Sequence, residues 1–411
     1  MPASGPTPGV PDAGTTAAAE ERLLDLVTRA VDPAGGFGWL DDRGRRTPGR
    51  APETWVGARM THVAALAHLR GRDGAGDLVD HGVRALRGLL RDDDRGGWLA
   101  VADRPEGPKD AYTHAFVALA AASATAAGHP DGAVLLDDVL AVVEQRFWDP
   151  DQEMVVEAWD AGFTTLEDYR GGNAAMHAVE AFTAVADVTG DPRWTARALA
   201  IATRLVDGVA RAHHWRLPEH FDARWVPDLE HHRDQPDHPF RPYGVTVGHL
   251  LEWSRLLLGL RHALGAGAPG WLLPASTSLY DAAVARGWHV DGAPGFVYTT
   301  DFADVPVVRL RMHWVLAEAI GAAWVRHAVT GEPGALADHA RWWDHARAHV
   351  VDADGSWRHE LDARNRPSAH VWTGRPDVYH AYQATVLPSL PLAPSLVAAA
   401  RAQREGRGPA A

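Results

Sequence analysis

The chain has 411 residues, 46% of them apolar and 23% charged, with a formal charge of −13 and no cysteine. This balance excludes a disordered chain and gives no basic stripe for nucleic acid, while the missing cysteines exclude disulfides, thiolate metal sites and a cysteine nucleophile. No run of 18 apolar residues occurs and residues 1–20 lack the basic and apolar regions of a signal peptide, so no membrane contact is expected and the cytoplasm is the expected compartment.

Residues 1–17 read as a disordered tail and 403–411 as a flexible one, around a single domain at 18–402. Within it helical periodicity dominates. Helices are expected over 18–32, 53–70, 75–92, 109–128, 131–147, 172–190, 192–212, 244–264, 269–286, 310–330, 332–351 and 376–402. The breaks between them are of two kinds. Short ones, such as Gly71-Arg72-Asp73-Gly74 and Gly190-Asp191, join antiparallel neighbours. Long ones each carry a tryptophan beside Gly or Asp, at Trp39, Trp98, Trp148, Trp215, Trp288 and Trp357. Six such units of helix, long loop, helix and short turn predict an all-α fold, an (α/α)6 barrel of twelve helices with its long loops at one end. An open solenoid would repeat in the same way but needs polar capping units, which are missing.

In such a barrel the side chains that follow the long loops, at the starts of the inner helices, share one mouth. Those positions read Trp55 and Arg59, then Tyr112 and His114, then Asn173, His177 and Glu180, then His249 and Glu252, then Trp314 and Glu318, then Tyr379, His380 and Gln383. Spacings of three and four put each set on one helix face. Any one of these groups alone reads equally well as a satisfied buried residue. His62, His114 and Glu180 are expected to support the site rather than to line it. Convergence of six sets is the stronger signal.

Other motifs fail. Gly265–Gly270 matches G-x-G-x-x-G by letter but follows a helix, so it is a turn. His213-His214 and His231-His232 are adjacent loop residues, which rarely close a ligand set. No compact spacing demands a metal at His177, His249 and His380. The set suits proton transfer beside a sugar carbonyl: histidines as acid and base, Arg, Asn and Glu for hydroxyls, aromatic faces for the ring. Glycoside hydrolysis by paired carboxylates is the alternative reaction, and a non-catalytic binding role is a third class.

The segment Asn173-Ala-Ala-Met-His177-Ala-Val-Glu180-Ala, followed by Thr189-Gly190-Asp191, resembles the N-x-x-M-H-x-x-E-A…TGD signature of the N-acylglucosamine 2-epimerase superfamily. Gly248-His249-Leu-Leu-Glu252-Trp253 and Trp314-x3-Glu318-Ala319 resemble two further motifs, in the same order, between about residues 50 and 390. The last motif, Gly374-Arg375-Pro376-Asp377-Val-Tyr379-His380-Ala-Tyr-Gln383, is similar to the G-K-P-D-x-Y-H-x-x-Q of the mannose and sulfoquinovose isomerase branch, with Arg375 for Lys. Gln383 stands where the epimerases carry Arg. The resemblance implies an aldose–ketose isomerase, D-mannose to D-fructose, working through a cis-enediol without metal or cofactor, as a monomer or homodimer. It implies His380 for ring opening and His249 for the proton transfer, oriented by Glu252. It places Arg59, Tyr112, Asn173, His177, Trp314 and Glu318 on the hydroxyls and ring. Gln235 and Arg241, in the long fourth loop, are candidates for reading C6.

Overall fold

In the computed structural model, residues 13–406 are described, and thirteen α-helices lie among them. They are α1 (Ala13–Ala30), α2 (Thr54–Leu69), α3 (Ala75–Arg87), α4 (Ala111–Ala126), α5 (Gly132–Val142), α6 (Gly172–Thr189), α7 (Pro192–Ala202), α8 (Val247–Leu264), α9 (Leu272–Gly287), α10 (His313–Thr330), α11 (Pro333–His345), α12 (Tyr379–Val386) and α13 (Leu396–Arg404). The even-numbered helices α2 to α12 touch one another in order, and α12 returns to α2, so the inner ring is closed. Outside it α3 packs on α2, α5 on α4, α7 on α6, α9 on α8, α11 on α10 and α1 on α12. This is an (α/α)6 barrel.

Sequence explains the two layers. An inner helix meets neighbours on every side, so it is apolar all round. In α4, for example, Ala115–Ala122 is an unbroken buried run. An outer helix has one buried stripe. In α3 it is Leu78, Val79, Gly82, Val83 and Leu86, at spacings of three and four. A Cβ on Gly82 would lie 2.0 Å from Thr61 Oγ1, so only glycine lets α3 approach α2 this closely.

Three expectations differ from the structure. The helix expected over 376–402 is two helices, α12 and α13, separated by a 3-10 turn at Leu387–Ser389 and an extended stretch. Pro388, Pro391 and Pro394 supply no N–H there and fix the backbone out of a continuous helix. The thirteenth helix then packs on α2, α4 and α6. The tail expected over 1–17 ends sooner, because α1 already begins at Ala13; residues 1–12 lie outside the described residues. At the other end α13 runs to Arg404, past residue 403, and 407–411 lie outside the described residues.

Short antiparallel joints bind each unit to the next at the long-loop end. Lys109–Asp110 pairs with Ala158–Trp159, Arg170–Gly171 with His220–Phe221, Val245–Thr246 with Thr299–Thr300, and Arg311–Met312 with Glu360–Leu361. Single bridges Glu53–Val101 and Leu40–Arg375 complete a cycle of six. Each joint pins the residues just before an inner helix. The first turn of every inner helix is therefore held at a fixed height around one mouth. The tryptophans that mark the long loops brace this end: Trp98 Nε1 donates to Leu86 O at 2.7 Å and Trp39 Nε1 to Thr373 O at 2.9 Å.

Candidate active site

All six inner helices contribute to one cavity at the mouth. Arg59 comes from α2, Tyr112 from α4, Asn173 and His177 from α6, His249 and Glu252 from α8, Trp314 from α10 and His380 from α12. Eight of the nine residues named from sequence as catalytic or substrate-binding thus line the same space. Glu318, the ninth, does not line it. It lies beneath, 2% exposed, where Oε1 accepts from His380 Nδ1 at 2.8 Å and Oε2 from Arg255 Nε at 2.9 Å. Glu318 was expected on the sugar; its carboxylate instead holds His380 and Arg255 beneath the cavity.

The second correction concerns His249. Its Nδ1 meets Glu219 Oε1 at 2.9 Å, not Glu252. Glu219 sits in the long fourth loop beside the joint at His220–Phe221, and sequence reasoning missed it. Several acids occupy that loop, and nothing in their spacing singles out Glu219. The two imidazoles are thus built alike. Each has Nδ1 on a buried glutamate, which fixes the ring, and each leaves Nε2 without a protein partner on the cavity side. Trp314 lies between them, with ring centroids 5.2 Å from His249 and 5.7 Å from His380. A Cβ on Gly248 would lie 2.3 Å from the Trp314 ring, so this packing requires glycine before His249. Both histidines are more enclosed than an open mouth suggests, at 7% and 5% exposed.

Glu252 differs from every other acid in the site. Both carboxylate oxygens are buried and neither has a hydrogen-bond partner in the protein. Burial, and then the neighbouring Glu318, push its pKa well above the usual carboxylate range. It faces the cavity with its carboxyl unpaired, in surroundings that favour the protonated form. Glu180, by contrast, accepts from Tyr379 Oη and from His177 Nδ1 at 3.3 Å, and despite burial these partners and Arg255 hold it below the usual range. Arg59 donates to Tyr112 Oη at 2.7 Å and to Asp377 Oδ2 at 3.2 Å, against the faces of Phe116 and Tyr379.

The supporting residues fall where expected. His62 Nδ1 meets Ser123 Oγ at 2.6 Å, and His114 Nδ1 donates to Asp110 O at 2.7 Å. Gln383 is buried and donates to Glu180 Oε1 at 3.3 Å, away from the cavity. Neither Gln235 nor Arg241 lines the cavity: Gln235 is exposed, and Arg241 pairs with Glu167 at 2.8 and 2.9 Å. The sequence reading missed Asp377, His313, His359, Tyr298, Phe240 and Trp372, all of which line it. Asp377 was visible inside the Pro376-Asp377 motif and His313 opens the helix α10, while the others come from loops whose paths the sequence does not reveal. Two groups could in principle ligate a cation, His177 with Glu180 and Glu252, and Glu252 with Glu318 and His380, their ligand atoms lying within 4.8 Å of one another. In each, carboxylate oxygens already accept from imidazole, which competes with a metal for the same lone pairs.

The buried histidines make a stability prediction. Burial lowers His62, His114, His177 and His313 to about 4. A histidine depressed in the fold takes up its proton first in the unfolded chain, so its stabilisation is complete above the unfolded value of 6.5 and is lost as pH falls toward 4. Each contributes about 1.4 kcal/mol per pH unit inside that window. Glu252, Glu157 (about 7), Asp187 (about 6) and Asp110 act with the opposite sign, but His220 (about 3) and His345 (about 4) are depressed as well, so the histidines outnumber them. Urea midpoints should therefore fall steeply from pH 6.5 to pH 4.5; a flat profile would contradict the burial described here.

Residues 35–384 match the family model of N-acylglucosamine 2-epimerase (GlcNAc 2-epimerase). A D-mannose isomerase of Thermobifida fusca is 53% identical over 92% of this chain and 94% of its own length. A D-mannose isomerase of Pseudomonas cannabina pv. alisalensis is 46% identical over 92% and 93%. The crystal structure of a D-mannose isomerase superposes with a TM-score of 0.87 at 24% identity, covering 94% of this chain and 99% of that one, a likeness of fold. Among the described residues no helix is long and apolar enough to cross a membrane. With the match running from residue 35 to 384 and both histidines in place within it, the chain belongs to the N-acylglucosamine 2-epimerase family.

Proposed function

We propose that this chain is an aldose–ketose isomerase that interconverts D-mannose and D-fructose, with residues 18–402 as its one catalytic domain. It acts as a monomer or homodimer in the cytoplasm and needs no metal. The observation that carries the reading is the pair of glutamate-held imidazoles on either side of Trp314, in one cavity with a Glu252 carboxyl that has no hydrogen-bond partner. The names of the relatives in Thermobifida and Pseudomonas support the choice of sugar. So does charge: Arg59 is the one Lys or Arg lining the cavity among the described residues, and Asp377 already balances it, so a neutral hexose fits better than a sulfonated one.

In this reading His380 Nε2 takes the proton of the anomeric hydroxyl and returns it to the ring oxygen as the C1–O5 bond breaks. His249 Nε2 then removes the proton from C2 while the Glu252 carboxyl gives its proton to O1, forming the cis-enediol. His249 returns its proton to C1 and O2 gives its own to Glu252, so the ketose forms and both groups are restored. Only one face of the enediol is used, which separates isomerisation from epimerisation at C2. Arg59, Tyr112, Asn173, His177 and Trp314 hold the hydroxyls and the carbon chain.

Incubation with mannose, glucose, cellobiose, N-acetylglucosamine and sulfoquinovose, with products resolved by chromatography, tests it. Fructose from mannose and no glucosyl-mannose from cellobiose is the expected result; epimerised cellobiose would overturn the assignment of reaction. Activity is also expected to survive dialysis against a strong chelator. Loss that Mn²⁺ or Zn²⁺ restores would instead make the histidines ligands.

A further inference from the structure

Beside the catalytic cavity lies a second and much larger one, of about 770 Å³, which shares with it the side chains of Trp55, Tyr112, Asn173 and Phe240. The catalytic cavity itself measures about 70 Å³. An apolar cavity of about 150 Å³ holds benzene, and a hexose has twice as many heavy atoms. A sugar therefore reaches His249 and His380 only if part of the wall moves. Phe240 is a loosely held part of that wall: it is 41% exposed and touches Trp55, Tyr112 and Trp372 edge-on, at ring centroids 6.1, 5.9 and 5.2 Å away. The next residue is fixed, since Arg241 is clamped on Glu167 and stacked 3.9 Å over Tyr169.

The larger cavity has the chemistry of a neutral sugar site. Its volume is in the usual ligand range of about 300–1,000 Å³. Trp159, Tyr169 and the shared aromatics provide apolar faces, and Glu53, Asp110, Glu157, Asp160 and Glu167 provide acceptors. Glu157 Oε2 accepts from Gly171 N at 2.9 Å, and Oε1 has no protein partner. Burial raises its pKa to about 7, so near neutrality it both donates to and accepts from a hydroxyl. The only cationic Lys or Arg lining this cavity among the described residues is Arg241, already neutralised by Glu167, so an anion finds no partner there.

We propose that this cavity is a second binding site for a neutral hexose, from which the catalytic cavity is loaded past Phe240, and that its carboxylates turn anionic sugars away. The proposal rests on the catalytic cavity being a sugar site. Its test is to soak crystals of His249→Ala with D-mannose and, separately, with sulfoquinovose. Mannose is expected in both cavities, and sulfoquinovose is expected to be absent from the larger one. In solution, Thr165→Trp and Pro108→Trp place bulk at exposed lining positions outside the catalytic machinery. Each is expected to raise KM for mannose about three- to tenfold with kcat unchanged, the signature of lost ground-state binding. Having two variants separates a blocked site from a damaged fold, which would lower kcat and the melting temperature as well. Mannose in the catalytic cavity alone, with KM unchanged in both variants, overturns the proposal and leaves the isomerase reading intact. If wild-type protein does not convert mannose and neither cavity binds it, the isomerase reading itself fails.

Discussion

Replacing His249 by alanine is expected to lower kcat by roughly 10²–10⁴-fold, the range for removing a general acid–base group. His249 is the group proposed to carry the proton from C2 to C1, and its Nε2 is the imidazole nitrogen on α8 left open to the cavity. The decisive measurement is exchange of the C2 hydrogen with deuterated solvent, which should vanish in the variant even for a substrate supplied in open-chain form. Exchange equal to wild type would mean that the base has been misassigned. The substitution also has a stability cost. Glu219 is 4% exposed, and His249 is its hydrogen-bond partner, so removing the imidazole leaves a buried carboxylate unpaired. A loss of about 1–3 kcal/mol is expected, enough to lower the melting temperature without abolishing the fold.

His380→Ala is expected to lose at least about a hundredfold in kcat on mannose, by a different step. If His380 opens the ring, the defect belongs to cyclic substrates. A short aldose that cannot close a pyranose ring should be isomerised by His380→Ala at close to the wild-type rate, and C2 exchange on it should persist. An equal loss on cyclic and open-chain aldoses would assign His380 to the proton transfer instead. Stability should change less than in His249→Ala. The partner Glu318 keeps its hydrogen bond from Arg255 Nε at 2.9 Å, so no buried carboxylate is left alone. The two variants therefore differ in both kinetics and melting, although the two imidazoles are held in the same way.

The histidines themselves were legible in the sequence because a helix repeats every 3.6 residues. Once His249 and Glu252 open a helix, their spacing puts both side chains on one face, and six such openings point to one mouth. The apolar inner helices and striped outer helices likewise follow from which residues sit three and four apart. What orients those histidines was not legible. Glu219 lies 30 residues before His249, and Glu318 lies 62 before His380. Each pair meets because the ring closes and because the joints between neighbouring units fix where each loop crosses the next. Glu252, the nearest acid in sequence to His249, is the one left without a hydrogen-bond partner.

The sequence by itself thus determined the architecture, the placing of both histidines at one mouth and the family motifs, because these depend on local periodicity and on residues close together in the chain. Only the tertiary structure decided which glutamate holds which histidine, that Glu318 lies below the cavity rather than on it, and that Phe240 stands between two cavities. These are contacts between distant units. They are set by ring closure and by loops braced across neighbours, and side-chain spacing along one helix carries no information about them.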